Sequence, residues 1–180
     1  MKQWHRDVQR PFIDNAPATT PARADVGWNW PRTFPWIKRA ISLAGEQNFS
    51  FAFVARNGNG APVTVAIALG IQPFQCLQFK DGRRPLDGFV WYVTGIPSAA
   101  ATHLGLAGLK ITAQALATCK DICKAVVPSS EIVLHADPKG PSLLQFYVQK
   151  CMMQQIPNDV VVCAPLKRTN DGRYFYSGQP

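Results

Sequence analysis

The chain has 180 residues, is 47% hydrophobic and 17% charged, and carries a formal net charge of +8. That length suits one domain with a sizeable core, and the hydrophobic share excludes a disordered polymer. The longest uncharged apolar stretches, 61–71 and 88–96, are too short to span a bilayer, and the opening MKQWHRDVQRPFIDN has no apolar core of a signal peptide, so no membrane association and a cytoplasmic location are expected. Secretion independent of such a signal stays open.

The positive charge favours polyanions: nucleic acid, an acidic membrane or a phosphorylated cofactor. The basic residues are scattered, with doublets only at Lys38-Arg39, Arg83-Arg84 and Lys167-Arg168. Five cysteines, Cys76, Cys119, Cys123, Cys151 and Cys163, form no CxxC pair, and the odd count argues against a disulfide framework. Cys119 and Cys123 stand four apart on a predicted helix without further ligands at a finger-like spacing, so they read as small core residues and no metal is expected.

In chain order, residues 1–26 are rich in Pro, Ala and Thr without an apolar period and read as a flexible arm; 27–180 reads as a single domain. Trp4, Trp28, Trp30 and Trp36 are dense for such a region and need a surface to cover, either the domain itself or a peptide or substrate groove. The pattern predicts a helix over 34–44 stopped by Gly45, a strand over 49–56, a tight turn at Asn57-Gly-Asn-Gly60 and a returning strand over 62–70. The almost wholly apolar 89–94 predicts a central strand. A helix follows over 104–127, with Leu109, Ala113, Leu116, Cys119, Cys123 and Val126 on one face. Then come a strand over 131–136, a turn in which Pro141 suits the first helical position, a helix from 142 to near 154, and a strand over 159–164. Asn170-Asp-Gly172 signals a second hairpin, into a last strand over 173–176. The fold class is α/β (α+β): a central mixed, mostly antiparallel sheet of about six to seven strands with helices on both faces.

The stretch FVWYVTGIP-SAAATHLGLAG leads from a buried strand through small residues into a helix. Free amides at a helix N-terminus, with the macrodipole, hold phosphate, and glycine lets the phosphate come close. Close packing of helix on sheet is the alternative role for Gly105 and Gly108. Thr102-His103-Leu104-Gly105-Leu106-Ala107 resembles the Gln/Arg-x-x-Gly-x-Gly/Ala element of the GNAT N-acetyltransferase superfamily, with Thr102 in place of Gln or Arg. Phe146-Tyr147-Val148-Gln149-Lys150-Cys151-Met152 is similar to the family's Phe/Leu-Tyr-x-x-x-Gly-Phe, with Cys151-Met152 in place of Gly-Phe.

The resemblance, which covers residues 34–178, implies an acyl-CoA N-acyltransferase-like fold and transfer of an acetyl group from acetyl-CoA to a primary amine. It implies a pyrophosphate cradle at Thr102, His103, Leu104, Gly105, Leu106, Ala107 and Gly108. It also implies that the strands at 89–95 and 131–136 splay, so that Gly95 and Ile96 offer backbone groups to the pantetheine arm. It implies, too, that Tyr147 is the general acid toward the departing thiolate. For the base, His135 has a suitable unperturbed pKa, with Asp137 beside it and Asp87 a weaker candidate. The acceptor stays open between a small amine, a protein amine and an aminoacyl-tRNA, the last favoured by charge; a homodimer is also open. The alternatives are a non-catalytic basic binding module, or an effector or toxin, built on the same fold.

Overall fold

A computed structural model describes residues 1–18, 20, 23–108, 110–140, 142–162 and 170–178. The expectations for Leu109, Pro141, Cys163, Ala164 and the Lys167-Arg168 doublet lie outside the described residues. The elements are α1 (Lys2–Trp4), a π-helix (His5–Asp14), α2 (Trp30–Leu43), β1 (Asn48–Arg56), β2 (Pro62–Phe74), β3 (Leu77–Gln78), β4 (Asp87–Gly95), α3 (Ser98–His103), α4 (Ile111–Val126), β5 (Ile132–His135), α5 (Leu143–Cys151), β6 (Gln154–Gln155), β7 (Val161–Val162) and β8 (Tyr174–Tyr176). This is an α+β fold built on a six-stranded, mostly antiparallel sheet in the order β1-β2-β4-β5-β8-β6, consistent with an acyl-CoA N-acyltransferase-like arrangement. Among the described residues only β4 and β5 run parallel; β3 and β7 form a separate two-stranded sheet.

Alternation along the strands explains the layering, because successive side chains point to opposite faces. Ile67, Leu69 and Ile71 of β2, Phe89 of β4, Val133 of β5 and Tyr174 and Tyr176 of β8 share one core with Trp4, Val8, Ile13 and the α2 residues Trp30, Phe34, Ile37 and Ile41. The neighbours Ala68, Val90, Ile132, Leu134 and Phe175 face the other way, onto Leu116, Cys119 and Cys123 of α4 and Tyr147 of α5. Helices therefore cover both faces. Val63 through Ile71 are all buried, so β2 as well as β4 is interior to the sheet. Among the described residues no helix is long and apolar enough to cross a membrane.

Four readings of the sequence need correction. The first fourteen residues are not an extended arm. They are helical, and Trp4, Val8 and Ile13 are almost wholly buried. Their spacings of four and five suit the wider turn of a π-helix and escape a search at 3.6 residues. Residues 98–103 form a helix of their own, so α4 begins at Ile111 and not at 104. Val126, expected on the buried face of that helix, is 52% exposed. Finally, Asn170–Gly172 forms a turn, with Asn170 Oδ1 accepting the Gly172 N–H, but it does not join a hairpin: β7 pairs with β3, and β8 with β5 and β6. Strand pairing at that distance in sequence leaves no local signal.

Candidate active site

The parallel pairing of β4 and β5 lasts three residues: Gly88 with Ile132, Phe89 with Val133, Val90 with Leu134. β4 then runs on to Gly95, held on its other edge by β2, while β5 stops at His135. The cause of the stop is visible. Ala136 donates its N–H to Arg173, whose guanidinium takes the carbonyls of Ala136 at 2.7 Å and Asp137 at 3.0 Å. Asp137 Oδ1 then accepts the Lys139 N–H and turns the chain toward α5. The two strands thus part, and among the described residues no strand lies beside β5's side of 91–95, where the Gly95 carbonyl accepts from Arg23.

A cleft of about 240 Å³ fills this split. Thr94 and Gly95 line it from β4, Thr112 from α4, His135 from the end of β5, and Phe146 and Tyr147 from α5. Gly95 is required by packing: a Cβ there would stand 2.3 Å from Thr112 Oγ1. The absence of that atom lets the first turn of α4 sit against the end of β4. The N–H groups of Ile111, Thr112 and Ala113 precede the first intrahelical bond, from Gln114 to Lys110, and among the described residues no side chain caps the helix.

Tyr147 is buried between Phe146 and Phe175, at ring-centroid distances of 5.5 and 5.4 Å. Burial pushes its phenol well above the ordinary value, with the charges of Cys151, Asp137 and Asp25 adding to the effect. The hydroxyl is therefore protonated at neutral pH. His135 Nε2 meets Asp171 Oδ2 at 3.0 Å, and its ring lies 4.7 Å from that of Tyr174. Burial alone would lift the Asp171 carboxyl, but the hydrogen bonds from His135 and the Arg173 N–H outweigh it and hold the group below its usual value.

The segment 102–108 is elsewhere. Gly105, at φ +69°, ends α3 instead of opening a helix. Its N–H bonds the Thr102 carbonyl and that of Leu106 bonds Ala101, the paired closure typical of a helix C-terminus. Both amides are consumed. Leu104 accepts a bond from Gly58 in the β1–β2 turn, and His103 packs on Phe12 at 5.5 Å. Of the residues expected to hold a cofactor, Gly95 lines the cleft; Ile96 (whose N–H bonds Val65), Thr102, His103, Leu104, Gly105, Leu106, Ala107 and Gly108 do not. Asp87 is also removed from the cleft. It lies buried at the opposite end of β4, where Oδ1 accepts the Glu131 N–H.

Two lining residues carry no sequence signal, Arg23 and Asp25; Trp28, expected to cover the domain or a groove, lines the cleft beside them. Arg23 pairs with Asp25 at 2.7 Å and donates to the Gly95 carbonyl at 3.1 Å and Thr94 Oγ1 at 3.2 Å. The Thr94 hydroxyl donates to Asp25 Oδ2. Buried Gln9 fixes this strap: its amide donates to the Asp25 carbonyl at 2.7 Å, and its oxygen accepts from the indoles of Trp30 and Trp4. Charge and ring content do not reveal such a route over the sheet edge. Among the described residues no three His, Cys, Asp or Glu side chains are placed to hold a metal. Cys119 and Cys123 are buried in the core as expected, and burial raises both thiols, Cys123 to about 11.

No family model matches the chain, and no curated protein matches it. Among solved structures, a KacTA–DNA complex is similar to it at 10% identity and a TM-score of 0.44, over 91% of this chain and 86% of that chain.

Proposed function

We propose that the protein is an acetyl-CoA-dependent N-acetyltransferase acting on a primary amine. The observation that carries this reading is one cleft lined by the end of β4 beyond its pairing with β5, by Thr112 in the first turn of α4, and by Tyr147. A free strand edge can hydrogen-bond an extended amide chain such as pantetheine as though it were another strand. The first turn of α4, where Thr112 lines the cleft, suits the anionic diphosphate that follows, in place of Gly105–Gly108. The acetyl thioester supplies an activated carbonyl to the cleft.

In this reading the acceptor nitrogen adds to the thioester carbon, and the carbon–sulfur bond breaks with its electron pair leaving on sulfur. Tyr147 Oη donates the proton that sulfur takes up. His135, oriented by Asp171, receives the proton that the nitrogen loses, and solvent returns one to the phenolate. Aligning the reactants on fixed β4 and α5 supplies the proximity term. The reaction is followed as free thiol released from acetyl-CoA in the presence of a panel of amines. Turnover that collapses in Tyr147→Phe, with cofactor affinity kept, supports the reading; thiol release equal in the two proteins contradicts it. The proposal extends to the acceptor class and the location in the cell: a basic surface favours an anionic acceptor, and the site of action is the cytoplasm.

A further inference from the structure

α2 carries a stripe that the fold does not use. At 100° per residue, Arg32, Trp36, Arg39 and Leu43 fall within about 60° of arc. They lie opposite Trp30, Phe34, Ile37 and Ile41, which are buried. Trp36 is 66% and Leu43 78% exposed, and both arginines are exposed. Of the four tryptophans near the N-terminus, Trp4 and Trp30 are in the core and Trp28 packs edge-on against Tyr92 at 4.5 Å. Trp36 alone among them presents its ring to solvent.

The electrostatics of the stripe are one-sided. No Asp or Glu occurs between Val26 and Gly45. Among the described residues, the ion pairs engage neither Arg32 nor Arg39. The neighbouring Lys38 donates to the Ser50 hydroxyl, a neutral partner that leaves its charge in place. Two guanidinium groups outside every described ion pair thus flank an exposed indole, one turn to either side, on a chain of net charge +8, with Glu46 the nearest acid in sequence, past the end of the stripe.

We propose that this face of α2 binds single-stranded nucleic acid. An unstacked base lies on the Trp36 ring, and the phosphates on either side meet Arg32 and Arg39. The ring requires a base freed from its stack, which favours a single strand over a duplex, and stacking is indifferent to which base it takes. Cations spaced along the same line neutralise phosphates and make binding salt-dependent. A protein partner is less suited: Leu43 is the only aliphatic side chain in the stripe, and the complementary surface would have to be acidic. The proposal is independent of the cleft.

The test is fluorescence anisotropy with a labelled 12-nucleotide oligouridylate and a duplex of equal length, at several salt concentrations. The wild type is expected to bind the single strand more tightly than the duplex, with affinity falling as salt rises. Trp36→Ala is expected to weaken single-strand binding by about 5- to 100-fold with the salt dependence retained. The double variant Arg32→Glu/Arg39→Glu is expected to abolish binding. Circular dichroism verifies that both variants are folded, and Arg84→Glu/Lys150→Glu controls for general charge. Unchanged affinity in Trp36→Ala, or equal losses in the control and the α2 double variant, overturns the proposal. So does a wild-type dimer in sedimentation that Trp36→Ala dissociates, since that assigns the face to self-association.

Discussion

Gly95 at the end of β4 and Thr112 in the first turn of α4 are in such close contact that a single added carbon on the glycine would fall 2.3 Å from the threonine hydroxyl. This contact brings a helix N-terminus to the open edge of the sheet. Gly95→Ala is expected to destabilise the protein by about 1–3 kcal/mol, as overpacking does. Thr112→Ala, which removes the clashing oxygen, is expected to recover most of that loss. Denaturant melts of the two single variants and the double variant measure the coupling; strict additivity would mean that the contact does not constrain α4.

Tyr147→Phe removes one oxygen from a buried ring and leaves its packing against Phe146 and Phe175 intact. The expected loss is about 100-fold in kcat, with little change in the dissociation constant for acetyl-CoA. Steady-state kinetics beside equilibrium binding separates the two. A rise in KM at constant kcat would make the hydroxyl a binding group and not an acid.

Asp171 ties the stability of the site to pH. Its folded-state pKa is depressed, so the contribution is present above the unfolded value, near 3.9, and is lost as pH falls through the folded value. The carboxylate is 47% exposed, which limits the effect to about 0.5 kcal/mol. Asp171→Asn should therefore lose less stability than the wild type as pH falls below about 4, while its kcat at neutral pH drops by about tenfold because His135 is no longer held. Thermal melts from pH 3 to 7 and the pH–rate profile check both halves.

Met152 ends α5 in the left-handed region at φ 55°, with its side chain 80% exposed. A side chain in that conformation costs about 1–2 kcal/mol, and glycine gives part of this back in chain entropy. Met152→Gly is expected to raise stability by about 0.5–1 kcal/mol without affecting the cleft. An unchanged or lowered melting temperature would show that the backbone strain is relieved elsewhere.

The parts of the fold written in local periodicity were legible. β1, the Asn57–Gly60 turn and the apolar run of β4 lie where alternation and turn chemistry put them. The splay of β4 from β5 and the position of Tyr147 came from likeness to a family pattern, and both strands and the tyrosine line one cleft. The misreadings have physical causes. Small residues at 98–108 satisfy both a helix end and a helix start, and only the bonds of Gly105 and Leu106 decide between them. Arg23 and Asp25 reach the cleft because Gln9 anchors the strap through non-local hydrogen bonds, which leave no period. Asp171 lies 36 residues from His135, joined to it only by the pairing of β5 with β8.

The central claim is that an acetyl-CoA molecule lies along the free edge of β4 with its phosphates at the opening turn of α4. Calorimetric titration with acetyl-CoA of the wild type, Thr112→Pro and Gly105→Ala tests it most directly. Proline is tolerated in a first helical turn but deletes one amide there, whereas Gly105 lies outside the cleft. The account predicts a dissociation constant on the order of micromolar for the wild type and for Gly105→Ala, weakened by about tenfold or more in Thr112→Pro. Absence of heat at millimolar cofactor, or loss of binding in Gly105→Ala with Thr112→Pro unaffected, would contradict it.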